Sequence, residues 1–151
     1  MSKKKFIKPI SADKYLGTGK VSGLVACNFY HFLNEKHAAL VMFYDPEDPT
    51  CSRLKPHMIR QAKLDKDPEH GYAAVNCLEE PELCQREGMV NLPAFKLYTR
   101  GKEVNKFGDS FDYKMMEKMI QRCPLIAPIH KTRKSVDPEC VRPPAKDWRP
   151  K

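Results

Sequence analysis

Seven consecutive apolar residues, Ala38–Tyr44 (AALVMFY), limit the fold of this chain more than any other stretch. An unbroken run of that length, with no alternation, is the signature of a strand buried on both faces, which belongs at the centre of a sheet. The flanking segments supply its partners. Asn28 reads as the N-cap of a short helix carrying Phe29, Phe32 and Leu33 and ending near Lys36. After the central strand, the polar loop Asp45-Pro46-Glu47-Asp48-Pro49-Thr50 leads into a helix that Asp48 caps and Pro49 opens. That helix carries Cys51, Leu54, Met58, Ile59 and Ala62 on one side and is expected to break or bend at Pro56. Residues 72–76 read as a second buried strand, 81–87 as a short helix closed by Gly88, and 94–99 as a third strand. Arg100-Gly101 turns that strand into a hairpin with residues 102–107. A last helix over 113–122 places Met115, Met116, Met119 and Ile120 at core spacing. This order predicts an α/β three-layer sandwich, a mixed central sheet flanked by helices.

Charge divides the chain into three parts. Of its 151 residues, 27 are Lys or Arg and 19 are Asp or Glu, a net charge of +8. Residues 1–23 hold six Lys and one acid, residues 124–151 hold seven bases and three acids, and residues 24–123 hold 14 bases and 15 acids. Lys3, Lys4 and Lys5, then Pro9, then Gly17, Gly19 and Gly23, with no apolar period, make residues 1–23 an expected basic extended arm. Six prolines in residues 124–151 make an expected basic tail that cannot build a core. The domain is therefore expected at 24–123, enough for a small layered fold and too little for a large catalytic barrel. No run approaches the roughly 18 apolar residues that cross a bilayer, and no apolar stretch follows the first lysines as a signal peptide requires. The expected location is cytoplasmic, with the six cysteines (27, 51, 77, 84, 123 and 140) thiols by default. If the chain is a fragment of a longer secreted precursor, the expectation becomes the lumen of the endoplasmic reticulum.

Three local motifs then point to one family. Leu40-Val-Met-Phe-Tyr44, Asp45-Pro46, Cys51 and Leu54-Lys55-Pro56 resemble the strand, active loop and proline-bearing helix of a thioredoxin domain of the protein disulfide isomerase family, where the pattern is LVMFYAPWCxxC followed shortly by Pro. Ala73-Ala-Val-Asn-Cys77, Leu83-Cys84-Gln, Leu92-Pro93-Ala-Phe-Lys and Gly101-Lys-Glu-Val are similar to that family's VDC, LC, YPT and GK segments, in order and at matching distances. The resemblance covers about residues 24–123 and neither tail. It implies a thioredoxin-like fold.

It also locates a departure. Aligned on Pro46, Cys51 and Pro56, the motif puts Glu47 in the family's Trp position, Asp48 in place of the attacking cysteine, and Cys51 in place of the resolving one. The active motif has become Asp48-Pro49-Thr50-Cys51. In the enzymes the first thiol works because a helix N-terminus stabilises its thiolate. A carboxylate can cap the same helix but cannot form a mixed disulfide. Met42 stands where many relatives carry the buried acid that relays a proton to the resolving cysteine. Exchange by the family mechanism is therefore expected to be lost, and no catalytic residue, metal ligand or cofactor is assigned. Cys51 is more simply a small buried residue at a helix start than a reactive thiol, and its spacing from Thr50 does not suit a peroxidatic site. Cys77 and Cys84 are a possible disulfide, as a similar pair occurs in secretory relatives, and no ligand pair follows them at zinc spacing. The resemblance further implies that Leu92-Pro93 is a cis bond beside the active loop, with Leu92 and Pro93 candidates for binding an extended peptide by strand-like pairing.

Two readings of function remain open at this level. In the first, the chain is a non-catalytic structural or protein-interaction module. Its tails would dock it onto the acidic protein surface of a larger assembly, for example a microtubule-based one. Trp148 among Lys146 and Arg149, together with Lys3, Lys4 and Lys5, would anchor it. Bases and aromatics are too sparsely interleaved to favour nucleic acid. In the second, it is a disulfide isomerase-like chaperone or residual oxidoreductase of the secretory pathway.

Overall fold

The computed structural model describes residues 10–89, 91–108 and 112–123. Its elements, in chain order, are β1 (Ser11–Asp13), β2 (Thr18–Gly23), α1 (Phe29–Asn34), β3 (Ala38–Tyr44), α2 (Pro49–Leu64), β4 (His70–Asn76), α3 (Pro81–Arg86), β5 (Ala94–Thr99), β6 (Lys102–Phe107) and α4 (Tyr113–Gln121). They form one six-stranded sheet in the order β1-β2-β4-β3-β5-β6. The strand β3 runs parallel to β4 and antiparallel to β5, so it has a partner on each edge.

Alternation along β3 explains its unbroken apolar run. Ala38, Leu40, Met42 and Tyr44 enter one core with Leu54 and Met58 of α2 and Met116 and Ile120 of α4. Ala39, Val41 and Phe43 enter the other, with Phe29, Phe32 and Leu33 of α1 and Leu83 of α3. Both faces of the strand are covered, so all seven residues must be apolar. The mixed-sheet sandwich and its central strand are as the sequence predicts.

Four local expectations change. Residues 11–23 do not form an arm: β1 and β2 pair antiparallel, and β2 continues onto β4 through Ser22 and Gly23. Leu16 and Val21 are buried there, which a Gly- and Lys-rich segment conceals because two apolar residues make no readable period. The N-terminal residues of the expected arm that lie outside the described range include Lys3, Lys4 and Lys5. Asn28 stands at the N-cap position of α1 as expected, but its side chain makes no cap bond and turns back to accept the Val25 N–H at 2.8 Å. Pro56 does not break α2, which runs on through it. Met115 is exposed, while Met116 and Ile120 take the core positions of α4.

The turn between β5 and β6 has two residues, Arg100 and Gly101, both with positive φ (48° and 87°). That combination is the two-residue turn whose twist suits a hairpin, and the positive φ of Gly101 is what favours glycine there, where a Cβ would also press on the Asn34 side chain.

Candidate functional site

Three loops meet at one end of the sheet. The strand β3 ends at Tyr44 and opens the 45–48 loop. The register Phe43 to Ala94 brings the Leu92-Pro93 bond beside that end. The Tyr44 carbonyl accepts the Cys77 N–H at 2.9 Å, fastening the exit of β4. Asp48 sits at the N-cap of α2 in extended conformation, and its Oδ1 accepts the Thr50 N–H at 2.8 Å, with Pro49 in the first turn. The capping role predicted for Asp48 is what the structure shows.

Cys51, one turn in, is fully buried among Met42, Tyr44, Leu54 and Ala74. Its Sγ accepts the Asp45 N–H at 3.4 Å. Burial pushes the thiol up from its ordinary value, and the Asp48 and Asp45 charges push it further; the Asp45 N–H alone acts the other way. A low-lying thiolate needs the reverse arrangement, a helix N-terminus or cation facing an accessible sulfur. Met42 and Ala74, which face each other across β3 and β4 in the same core as Cys51, are both buried, and neither carries a group able to accept its proton.

The Leu92-Pro93 bond is cis, as the family resemblance implies. Pro93 is buried, while Leu92 is half-buried and packs against both cores. Around them opens a surface cleft of about 630 Å3 lined by Met89, Asn91, Leu92, Pro93, Lys106 and Phe107. This cleft extends toward β6; the expected groove between Leu92 and residues 48–51 is represented only by their shared position at the sheet end.

Cys77 and Cys84 are joined by a disulfide, with Cα atoms 5.7 Å apart. Cys27 is also disulfide-bonded, whereas Cys51 and Cys123 are free. The default of six thiols is thus corrected: the turn from β4 into α3 sets Cys77 and Cys84 at bonding distance. Trp148, Lys146 and Arg149, like Lys3 to Lys5, lie outside the described residues. Among the described residues no group of three or more His, Cys, Asp and Glu side chains could hold a metal ion, and no helix is long and apolar enough to cross a membrane.

Two polar clusters escaped the sequence reading. Asp13, nearly buried, accepts the Tyr44 hydroxyl and the N–H groups of Tyr15 and Leu16. Lys96, in the middle of the apolar β5, places its Nζ 2.6 Å from the Glu87 carbonyl and 2.7 Å from Glu103 Oε1. The hydroxyls of Tyr30 and Tyr98 donate to the Glu87 carboxylate at 2.8 and 2.6 Å. A charged residue interrupting AFKLYT was the one available signal for this second cluster.

A mixed sheet, a proline-bearing helix starting at the active loop and a cis-proline beside it define a thioredoxin-type domain. The Thioredoxin family model matches residues 20–122, and the chain belongs to that family, as a thioredoxin-like domain of the protein disulfide isomerase type. Over 83 residues it is 40% identical to protein disulfide-isomerase A5 of Bos taurus, covering 53% of this chain and 16% of that protein. Over 87 residues it is 39% identical to the Mus musculus protein of the same name, covering 56% and 17%. The matched segment thus spans about a sixth of those relatives. Among solved structures, the first thioredoxin domain of mouse protein disulfide-isomerase A4 superposes with a TM-score of 0.65 at 20% identity, covering 84% of this chain and 91% of that one. Human ERp44 in its zinc-bound form gives a TM-score of 0.63 at 20% identity, covering 68% and 29%.

Proposed function

We propose that this chain is a redox-inactive member of the disulfide isomerase type that binds other polypeptides without exchanging disulfides with them. The observation that carries this reading is the pairing of Asp48 with Cys51. Asp48 occupies the attacking position as a helix cap, and the remaining sulfur is buried with its thiolate disfavoured. The cis-proline turn and the cleft at Leu92 are nevertheless intact. Among the described residues neither the N–H nor the C=O of Leu92 takes a hydrogen bond, so both suit an extended strand laid alongside.

The Cys77–Cys84 bond supports an oxidising compartment, the second of the two locations the sequence allows. The acidic partner expected of the basic tails, with Lys3, Lys4, Lys5, Lys146, Trp148 and Arg149 as anchors, then belongs to that compartment rather than to a cytosolic lattice.

The test pairs two assays on the full chain. Insulin reduction by dithiothreitol should not be accelerated, while a labelled, reduced and carboxymethylated polypeptide should bind and lose affinity in the Pro93→Ala variant. Turnover of insulin at the rate of an active thioredoxin, or no polypeptide binding at all, overturns the reading.

A further inference from the structure

The near-neutral charge of residues 24–123 conceals a cationic helix. Arg53, Lys55, Arg60 and Lys63 of α2 are four of the 14 bases in that range, and none of the 15 acids lies on α2. Arg53, His57, Arg60 and Lys63 follow one another at steps of three and four residues, which keeps them along one stripe of the helix, about 15 Å long. Cys51, Leu54, Met58, Gln61 and Ala62 take the buried side. Arg53, Arg60 and Lys63 are exposed.

Among the described residues, no carboxylate forms a salt bridge with Arg53, Lys55, Arg60 or Lys63. The acids that border the helix have other partners. Asp112 caps α4 through the Met115 N–H, Glu117 accepts from Gln121, and Asp65 holds Tyr72 and His70. Like charges three residues apart, as Arg60 and Lys63 are, oppose the helix they sit on. Two of the cations are held in place. The Arg60 guanidinium lies 4.1 Å from the centre of the Tyr113 ring, on which His57 also stacks, and the Lys55 ammonium lies 4.4 Å from that of Tyr15. Side chains already ordered lose less entropy when they bind.

We propose that the outer face of α2 is a docking surface for an acidic polypeptide, a segment rich in Asp and Glu lying along the Arg53 to Lys63 stripe. This rests on the acidic-partner reading above and moves part of that contact onto the folded domain. The stripe offers charge, and the Tyr113 ring beside it is half-buried with Arg60 and His57 against it, a poor platform for stacked bases. Leu64 is its one large exposed apolar residue, too little to enter a lipid interface.

The experiment titrates the full chain with poly-L-glutamate, oligothymidylate or phosphatidylserine vesicles at low and at physiological salt. The Arg53→Glu/Lys63→Glu variant should lose about tenfold in poly-L-glutamate affinity at low salt, and the neutral Arg53→Gln/Lys63→Gln variant, which serves as the check on folding, about half of that effect on a logarithmic scale. Wild-type affinity in both α2 variants, with loss only in Lys3→Gln/Lys4→Gln/Lys5→Gln, overturns the proposal and leaves the tail reading standing. Tighter binding of oligothymidylate or of vesicles than of poly-L-glutamate overturns it in favour of a nucleic acid or a membrane.

Discussion

The Tyr44 hydroxyl lies 3.0 and 3.1 Å from the two carboxylate oxygens of Asp13, joining the last residue of the central strand to the first hairpin of the chain. Asp13 Oδ1 also accepts the N–H groups of Tyr15 and Leu16, and the Tyr15 ring stacks on Tyr44 at 4.4 Å. One buried carboxylate thus shapes the β1–β2 turn and fixes it to the core. Asp13→Ala should strand three donors and cost about 1–3 kcal/mol, whereas Asp13→Asn retains an acceptor and should cost less. Burial raises the Asp13 carboxyl above the ordinary value, outweighing the hydrogen bonds that lower it. A raised acid holds its proton more tightly folded than unfolded, so its contribution is full at pH below the ordinary carboxylate value and falls as pH climbs through the raised one. Thermal unfolding of wild type and Asp13→Asn across that range should show the slope in the former only.

This hairpin marks where the sequence was least legible. The central strand could be read because burial on two faces demands seven apolar residues, and Asp48 because a cap followed by proline is a local signal. The start of the domain could not, since the turn of β1 and β2 is organised by a carboxylate whose partner lies 31 positions away. Lys96 was hidden for the same reason: its partner carboxylates Glu87 and Glu103 come from two other segments. The disulfide was legible only as a possibility, because spacing does not fix the distance that the β4 exit and α3 impose.

Asp65 should titrate in the opposite sense to Asp13. Burial alone would raise it, but hydrogen bonds from the Tyr72 hydroxyl at 2.6 Å, the Asp67 N–H and His70 outweigh burial and hold it below the ordinary value. A depressed acid contributes stability that is complete above the ordinary carboxylate pKa and disappears as pH falls through the lowered one. Asp65→Asn should therefore flatten the acid limb of the stability curve, measured by urea denaturation at a series of acidic pH values. An unchanged limb would show that this carboxylate is not what acid releases.

The Cys77–Cys84 bond closes a loop with a sequence separation of seven. Loop-closure entropy for so short a segment corresponds to about 2–3 kcal/mol. Cys77→Ala/Cys84→Ala should lower the unfolding free energy by roughly that amount in a denaturant titration without reductant, which leaves the bond at Cys27 in place. Equal stability of the wild type and the double variant would leave the bond without an energetic role in this fold.

Asp48→Cys restores the pair of sulfurs that the active loop lacks. The new thiol would stand at the N-cap of α2, where the helix terminus favours a thiolate, with Cys51 as the partner that resolves a mixed disulfide. Oxidation should remove two hydrogens from the protein mass as the introduced sulfur bonds to Cys51, and insulin reduction should rise above the wild-type background. The rate should stay below that of a complete active loop, since Glu47 stands in the position of the family's tryptophan and Met42 supplies no proton acceptor. Asp48→Ala provides the control, losing the bond to the Thr50 N–H and about 0.5–2 kcal/mol of stability without gaining any exchange. If Asp48→Cys oxidises yet leaves insulin untouched, the substitution at residue 48 is not what separates this domain from its active relatives, and the buried surroundings of Cys51 must be changed as well.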